Sequence, residues 1–277
     1  MDKRKEGAGI IKAVIACAGS LGIYKAAGML LSPLFRDDYL AAFVYQLIFA
    51  AAAAVFVWLI SKNTIYRSSP ALLRAGWPSA ALFIAVFAIS IVRAVSVVYV
   101  NGVTIPWYDA VFWAVQMALV GYCEESLFRG LLQNAVHRFF GENTLLGARL
   151  GVVIAGAVFG AVHLMNSLIP GVSLMSALIQ AAGAAFVGMY LGAIYLRTGK
   201  CLWFVVAIHA LNDAAATVGG GILSGSSMES VVELLGSMGP YAALCIMAVY
   251  GIPTVIILRK TKLRPVLDAM AYERAQA

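Results

Sequence analysis

Charge is scarce in this chain. Only 12% of its 277 residues are Asp, Glu, Lys or Arg and only three are histidine, against 62% hydrophobic. A soluble domain carries about a quarter charged residues, so a soluble globular protein is excluded. Paired cysteines are missing too. Cys17, Cys123, Cys201 and Cys245 all fall in apolar stretches with no CxxC, which excludes a disulfide framework and implies buried thiols. No tandem repeat or low-complexity tract occurs. No ten-residue alternation occurs either, which excludes a membrane β-barrel. The N-terminus lacks a clean signal peptide. Val14-Ile15-Ala16-Cys17 resembles a lipoprotein cleavage box, but Lys12 interrupts the apolar region and apolar character resumes after Cys17, so a retained first span is expected. The net charge of +7 invites a nucleic-acid reading. It fails, because the cations sit between apolar runs and not along one face.

What is present is a series of apolar stretches of span length, near 8–32, 39–60, 76–100, 107–137, 146–166, 174–196, 201–218 and 238–258. Only helices or closed barrels satisfy the backbone in lipid. The expectation is an all-α polytopic protein of about eight transmembrane helices, one integral-membrane domain over 1–277, with its site in the bundle interior. The connections give a check. With a cytoplasmic N-terminus, one side receives Lys3, Arg4 and Lys5; Lys62, Arg67 and Arg74; Arg138 and Arg149; Arg197 and Lys200; and Arg259, Lys260, Lys262 and Arg264. The other side receives Arg36 beside Asp37 and Asp38, then the uncharged segments 101–106 and 167–173, then Glu229 and Glu233. This alternation obeys the positive-inside rule and puts both termini in the cytoplasm, in the cell membrane. Residues 218–230 read as an exposed Gly/Ser loop and 262–277 as a short polar or amphipathic tail. Small-xxx-small pairs (Gly147/Gly151, Gly156/Gly160, Gly188/Gly192) read as packing. Lys12, Lys25 and Arg93 read as snorkelling cations.

Nearly all the polar chemistry lies in three spans. The fourth holds Glu124, Glu125 and Arg129. The fifth holds Phe159 and His163. The seventh holds His209, Asn212 and Asp213. At a rise of about 1.5 Å per residue, Glu124 lies roughly 21 Å inward from Arg138, His163 roughly 21 Å from Arg149, and His209 and Asp213 roughly 14 and 20 Å from Lys200. Groups at one depth on three helices are expected to meet. Intramembrane charges persist when paired or functional. Residues four apart share a face, so Glu125 can pair with Arg129, His209 with Asp213, and the Phe159 ring can wall the pocket beside His163. Glu124, about 100° round the helix, points elsewhere and suits a general base. His137, beside Arg138, reads as interfacial. Ser126 and Cys123 lie next to the acidic pair, but Ser126 has no base on its own face.

These residues resemble the CAAX protease and bacteriocin-processing family, also called the Abi family. Its Glu-Glu-x-x-x-Arg motif matches Glu124, Glu125 and Arg129; Phe-x-x-x-His matches Phe159 and His163; His-x-x-x-Asn/Asp matches His209 and Asp213. The likeness covers 107–218 and implies an eight-helix intramembrane endopeptidase acting in the cytoplasmic half of the membrane. It implies Glu124 as base with His163 as its partner, and His209 with Asp213 at the oxyanion. Glu125, Arg129, Phe159 and Asn212 support them. Many members have Asn where this chain has Asp213, and an ionised Asp cannot donate to an oxyanion. Three roles stay open for it: a protonated donor, an orienter of His209, or a metal ligand. No cofactor is required by this reading. The alternative is zinc held by Glu124, His163, His209 and Asp213. The expected partners are the bilayer and a peptide or protein with a membrane-associated segment, with no nucleic acid. Two other functions compete: an inactive immunity or scaffold protein, and a proton-coupled transporter. The transporter reading is weakened because no inverted repeat relates 1–138 to 139–277.

Overall fold

The computed structural model describes residues 3–35, 38–66, 68–102, 107–168, 171–217 and 239–276. Among these residues there are helices and no strand. The helices are α1 (Lys3–Leu31), α2 (Asp38–Ser61), α3 (Pro70–Gly76), α4 (Ala81–Asn101), α5 (Trp107–Glu125), α6 (Asn134–Phe139), α7 (Leu145–Val162), α8 (Leu174–Arg197), α9 (Leu202–Thr217), α10 (Gly239–Ile257) and α11 (Lys260–Gln276). A π-helical segment, Ser126–Gln133, joins α5 to α6, and a tight 3-10 turn, His163–Leu168, comes directly after α7. Three helices start on hydroxyl caps, each accepting from the backbone N–H three residues on: Ser69, Thr144 and Ser173. Such caps satisfy an N–H that the first turn leaves unpaired.

The all-α, multi-pass membrane architecture stands. The expected count of eight crossings is not reached. Among the described residues, five helices are long and apolar enough to cross, and six if the pair Ala243–Ile257 and Lys260–Gln276, bent by 58°, forms one span. The two segments that fall out are the ones richest in polar groups. Trp107–Glu125 ends on two glutamates, and Leu202–Ala215 is too short. The outer surfaces remain apolar: Ile89, Val92, Val95, Trp58 and Leu146 are all more than half exposed, as lipid-facing side chains are.

The basic ends gather at one end of the bundle. Arg138 lies 3.6 Å from Glu6, and Lys200 and Arg274 both pair with Glu142. Arg149 donates to the Leu258 carbonyl and Arg197 to that of Lys262. Arg138, Arg149, Arg197 and Lys200 are the same cations that the charge alternation groups on one side. Arg36, Asp37, Arg67, 103–106, Glu229, Glu233 and the loop 218–230 lie outside the described residues. The tail is the helix α11, with Leu263, Val266, Leu267 and Met270 buried beneath it.

One reading is corrected. The fourth apolar stretch is not one regular helix, because the π segment interrupts it, and all eight of its residues are buried. A π turn adds a residue per turn and re-aims the side chains beyond it. His137, beside Arg138 at the basic end, is 1% exposed, covered by α7, where Gly147 and Gly151 lie against its backbone and Cβ. The packing reading of the glycines holds. A Cβ on Gly156 or Gly160 would come within 2.5 Å of Met189 and of the Ala181 carbonyl respectively, so α7 and α8 meet backbone to backbone.

Candidate active site

α5 delivers Glu124 and Glu125 at its last turn, and the π segment presents Arg129. Glu125 is fully buried and Arg129 is 1% exposed. Their closest atoms are 2.9 Å apart, as the four-residue spacing requires. It is a contact ion pair rather than an aligned hydrogen bond. Arg129 also donates from Nη2 to the Gly188 carbonyl of α8 at 2.9 Å, and its guanidinium lies 4.7 Å from the Phe159 ring. Gly188 makes this possible: a Cβ there would sit 2.8 Å from Phe159 and 3.2 Å from Arg129. A helix carbonyl with a second lone pair and no side chain in the way is the acceptor.

The same carboxylate orients a histidine from α9. Glu125 Oε1 lies 2.6 Å from His209 Nδ1. A carboxylate only accepts, so that nitrogen carries the proton. His209 Nε2 then faces Glu124 Oε2 and Asp213 Oδ2, each at 3.5 Å. The imidazole therefore meets three carboxylates. It satisfies all of them only with a proton on both nitrogens. Glu124 and Asp213 are a fifth to a quarter exposed, in contrast to the sealed Glu125, so they line the accessible part of the site. Asn212 accepts from Tyr250 of α10 and donates to Asp213, both at 3.4 Å.

His163 ends α7. Its Nδ1 donates to the Phe159 carbonyl at 2.8 Å, capping a carbonyl that the helix end leaves free. The neutral ring is then fixed with Nε2 as an acceptor. The Phe159 ring packs edge-on against both imidazoles, 4.8 Å from His163 and 5.8 Å from His209. His163 is in electrostatic reach of Glu124, but the imidazole in direct contact with Glu124 is that of His209.

The eight residues singled out in the sequence are thus linked in one cluster. Among the described residues no group of three or more His, Cys, Asp and Glu side chains is arranged to hold a metal ion. Of the neighbouring nucleophile candidates, Ser126 Oγ is buried with no hydrogen-bond partner among the described residues, and Cys123 is approached by Gln46 at 3.5 Å.

Residues 105–215 match the family model described as type II CAAX prenyl endopeptidase, Rce1-like. The Rce1-like segment runs from α5 to α9 and contains every residue of the cluster named in the sequence. It leaves α1, α2, α3, α4, α10 and α11 outside. No curated protein and no solved structure matches the chain. An Rce1-like segment in a multi-pass helical bundle supports a membrane endopeptidase, a hydrolase.

Sequence reasoning missed the residues that fasten this segment. Gln133 donates to the Gly192 carbonyl at 3.0 Å, and Asn134 donates to Tyr195 Oη and the Gly130 carbonyl, each at 2.9 Å. The signal was available: Gln133 stands four residues after Arg129, as Gly192 stands four after Gly188. Those glycines serve as acceptors as well as packing contacts.

Proposed function

We propose that the chain is an intramembrane endopeptidase that hydrolyses a peptide bond with water activated by Glu124, in the half of the membrane nearest its basic end, the cytoplasmic one. One observation carries this reading: the Glu125-oriented His209 presents Nε2 between Glu124 and Asp213. Glu124 takes a proton from water, and the oxygen bonds to the substrate's carbonyl carbon. His209 Nε2–H donates to the oxyanion that forms. Glu124 then returns the proton to the departing amine nitrogen as the C–N bond breaks. His163, with Nε2 free to accept, orients the attacking water. Asp213, as a second acceptor beside Nε2, keeps the proton on the ring. Glu125 and Arg129 hold His209 and do not touch substrate.

Each role rests on hydrogen-bonding capacity. An oxyanion donor close to the reacting carbonyl is worth about 3 kcal/mol or more, and a positioned base about 10²–10⁴-fold. No step requires a metal. The substrate is a peptide or protein with a membrane-associated segment. The test is cleavage of tagged membrane substrates by purified protein in lipid. Glu124→Gln should reduce turnover at least 100-fold with an unchanged unfolding midpoint. Full turnover by that variant would defeat the proposal. Biological activity without any cleavage would favour the scaffold reading.

A further inference from the structure

The buried polar atoms without partners are not scattered. Among the described residues, Glu125 Oε2, Ser126 Oγ, Arg129 Nε and Nη1, Gln133 Oε1, Asn134 Oδ1 and both ring nitrogens of His137 are sealed from the surface and make no side-chain hydrogen bond within the protein. These eight atoms lie between residues 125 and 137; the hydroxyls of Ser20 and Tyr45 are the others outside that stretch. Glu125, Arg129, Gln133 and His137 recur every four residues and form one stripe along the inner side of the π segment and α6. Each is at most 1% exposed. Glycines face the stripe: Gly188 against Arg129, Gly192 against Gln133, and Gly151 against Gln133 and His137. Glycine backbone rather than side chain therefore lies against it.

The stripe has two distinct ends. One is Glu125, bonded to His209 in the proposed site. The other is His137, which interacts electrostatically with Lys200, Arg274, Arg138 and the Glu142 backbone in the basic cluster. The span between is at most about 18 Å, twelve residues at the helical rise. A buried polar atom without a partner costs about 1–3 kcal/mol. Those on Glu125, Arg129, Gln133 and His137, in one continuous line, are kept where ordered water supplies the missing bonds, as internal water does for buried polar groups.

We infer that the stripe Glu125–Arg129–Gln133–His137 binds a file of internal water molecules that connects the basic end of the bundle to His209. Its ligand is water, and its polar atoms alternate between donors and acceptors as such a file needs: the Glu125 oxygen, the Arg129 N–H, the Gln133 oxygen, the His137 ring. In the proposed hydrolysis this file replaces the water consumed at each turnover, and to that extent it rests on that reading. The file itself does not.

The test uses full-length protein in lipid bilayers, labelled with ¹⁵N-histidine. The chain has only three histidines, so each resonance is assigned by one substitution. Solid-state NMR then measures magnetisation transfer from mobile water to each ring. The expected result is transfer to His137 at a rate within about threefold of that to His163, which lines the accessible pocket. Absence of transfer to His137 overturns the inference. Glu124→Gln should abolish cleavage and leave that transfer intact, so failure of the hydrolytic reading is distinguishable from failure of the file. Gln133→Met interrupts the stripe. It should lower kcat about tenfold with KM unchanged and lower water transfer to His137 or His209. An unchanged kcat together with unchanged transfer overturns the role of the stripe. If the variant fails to fold, the wild-type transfer to His137 still decides.

Discussion

Replacing Arg129 by methionine removes the one full charge that balances Glu125 from its own helix. The two side chains are 2.9 Å apart, fully buried and 1% exposed. The same pair on a wet surface is worth about 0–1 kcal/mol. Buried, the loss of one partner leaves an uncompensated charge and costs about 3–5 kcal/mol. Methionine fills most of the space, so the cavity contribution is small. The folded-to-unfolded ratio should fall on the order of 10²–10⁴-fold. Glu125→Gln should cost a similar amount, because it strands Arg129 and His209 together. The double variant removes both charges and should cost less than the sum of the singles by at least about 2 kcal/mol. Reversible unfolding in mixed micelles, monitored by tryptophan fluorescence, supplies the four free energies. Additive effects, or a cost below about 1 kcal/mol for Arg129→Met, would refute the idea that this pair is a buried, mutually dependent unit.

Other perturbations bear on packing and on the basic end. Gly160→Ala should destabilise by about 1–3 kcal/mol, because the new methyl would meet the Ala181 carbonyl at 2.5 Å. Gly28→Ala, with nothing within 4 Å, should be neutral or slightly stabilising in the same unfolding assay. Lys200, in the turn between α8 and α9, is pushed down from 10.5 to about 8 by burial and the nearby Arg274 and Arg138, against the pull of Glu142. Between about pH 8 and its ordinary value the unfolded chain holds a proton that the folded one has lost, so stability rises with pH in that window and is flat in this respect below it. The rise should reach about 3 kcal/mol at most. Lys200→Met should remove it, measured as the difference in unfolding free energy between pH 7.5 and 10.

The pairs legible in the sequence are the ones that local geometry fixes. Glu125 with Arg129, and His209 with Asp213, lie four residues apart, and helical periodicity alone puts them together. The class of the fold was equally plain, because lipid leaves an apolar chain little choice but helices. The common depth of the three polar clusters was a matter of counting residues from the basic ends. The supporting place of Asn212 came only from its being next to Asp213; its bond to Tyr250 needed α10 to be docked.

Contacts between helices were decided by the tertiary structure. The family resemblance implied His163 as the partner of Glu124. The folded chain adds His209 in direct contact with Glu124, while His163 Nδ1 donates to the Phe159 carbonyl of its own helix. Helix rotation decides which imidazole arrives, and that rotation is the sum of many small packing contributions along α7, α8 and α9. The π segment was invisible for a similar reason: its Arg129 and Gln133 are held by glycine carbonyls of α8, which docking alone brings into reach. Periodicity within an element is a property of the chain. The facing of one element by another belongs to the whole bundle, and there the burial of His137 and the closure of Glu125 around His209 were determined.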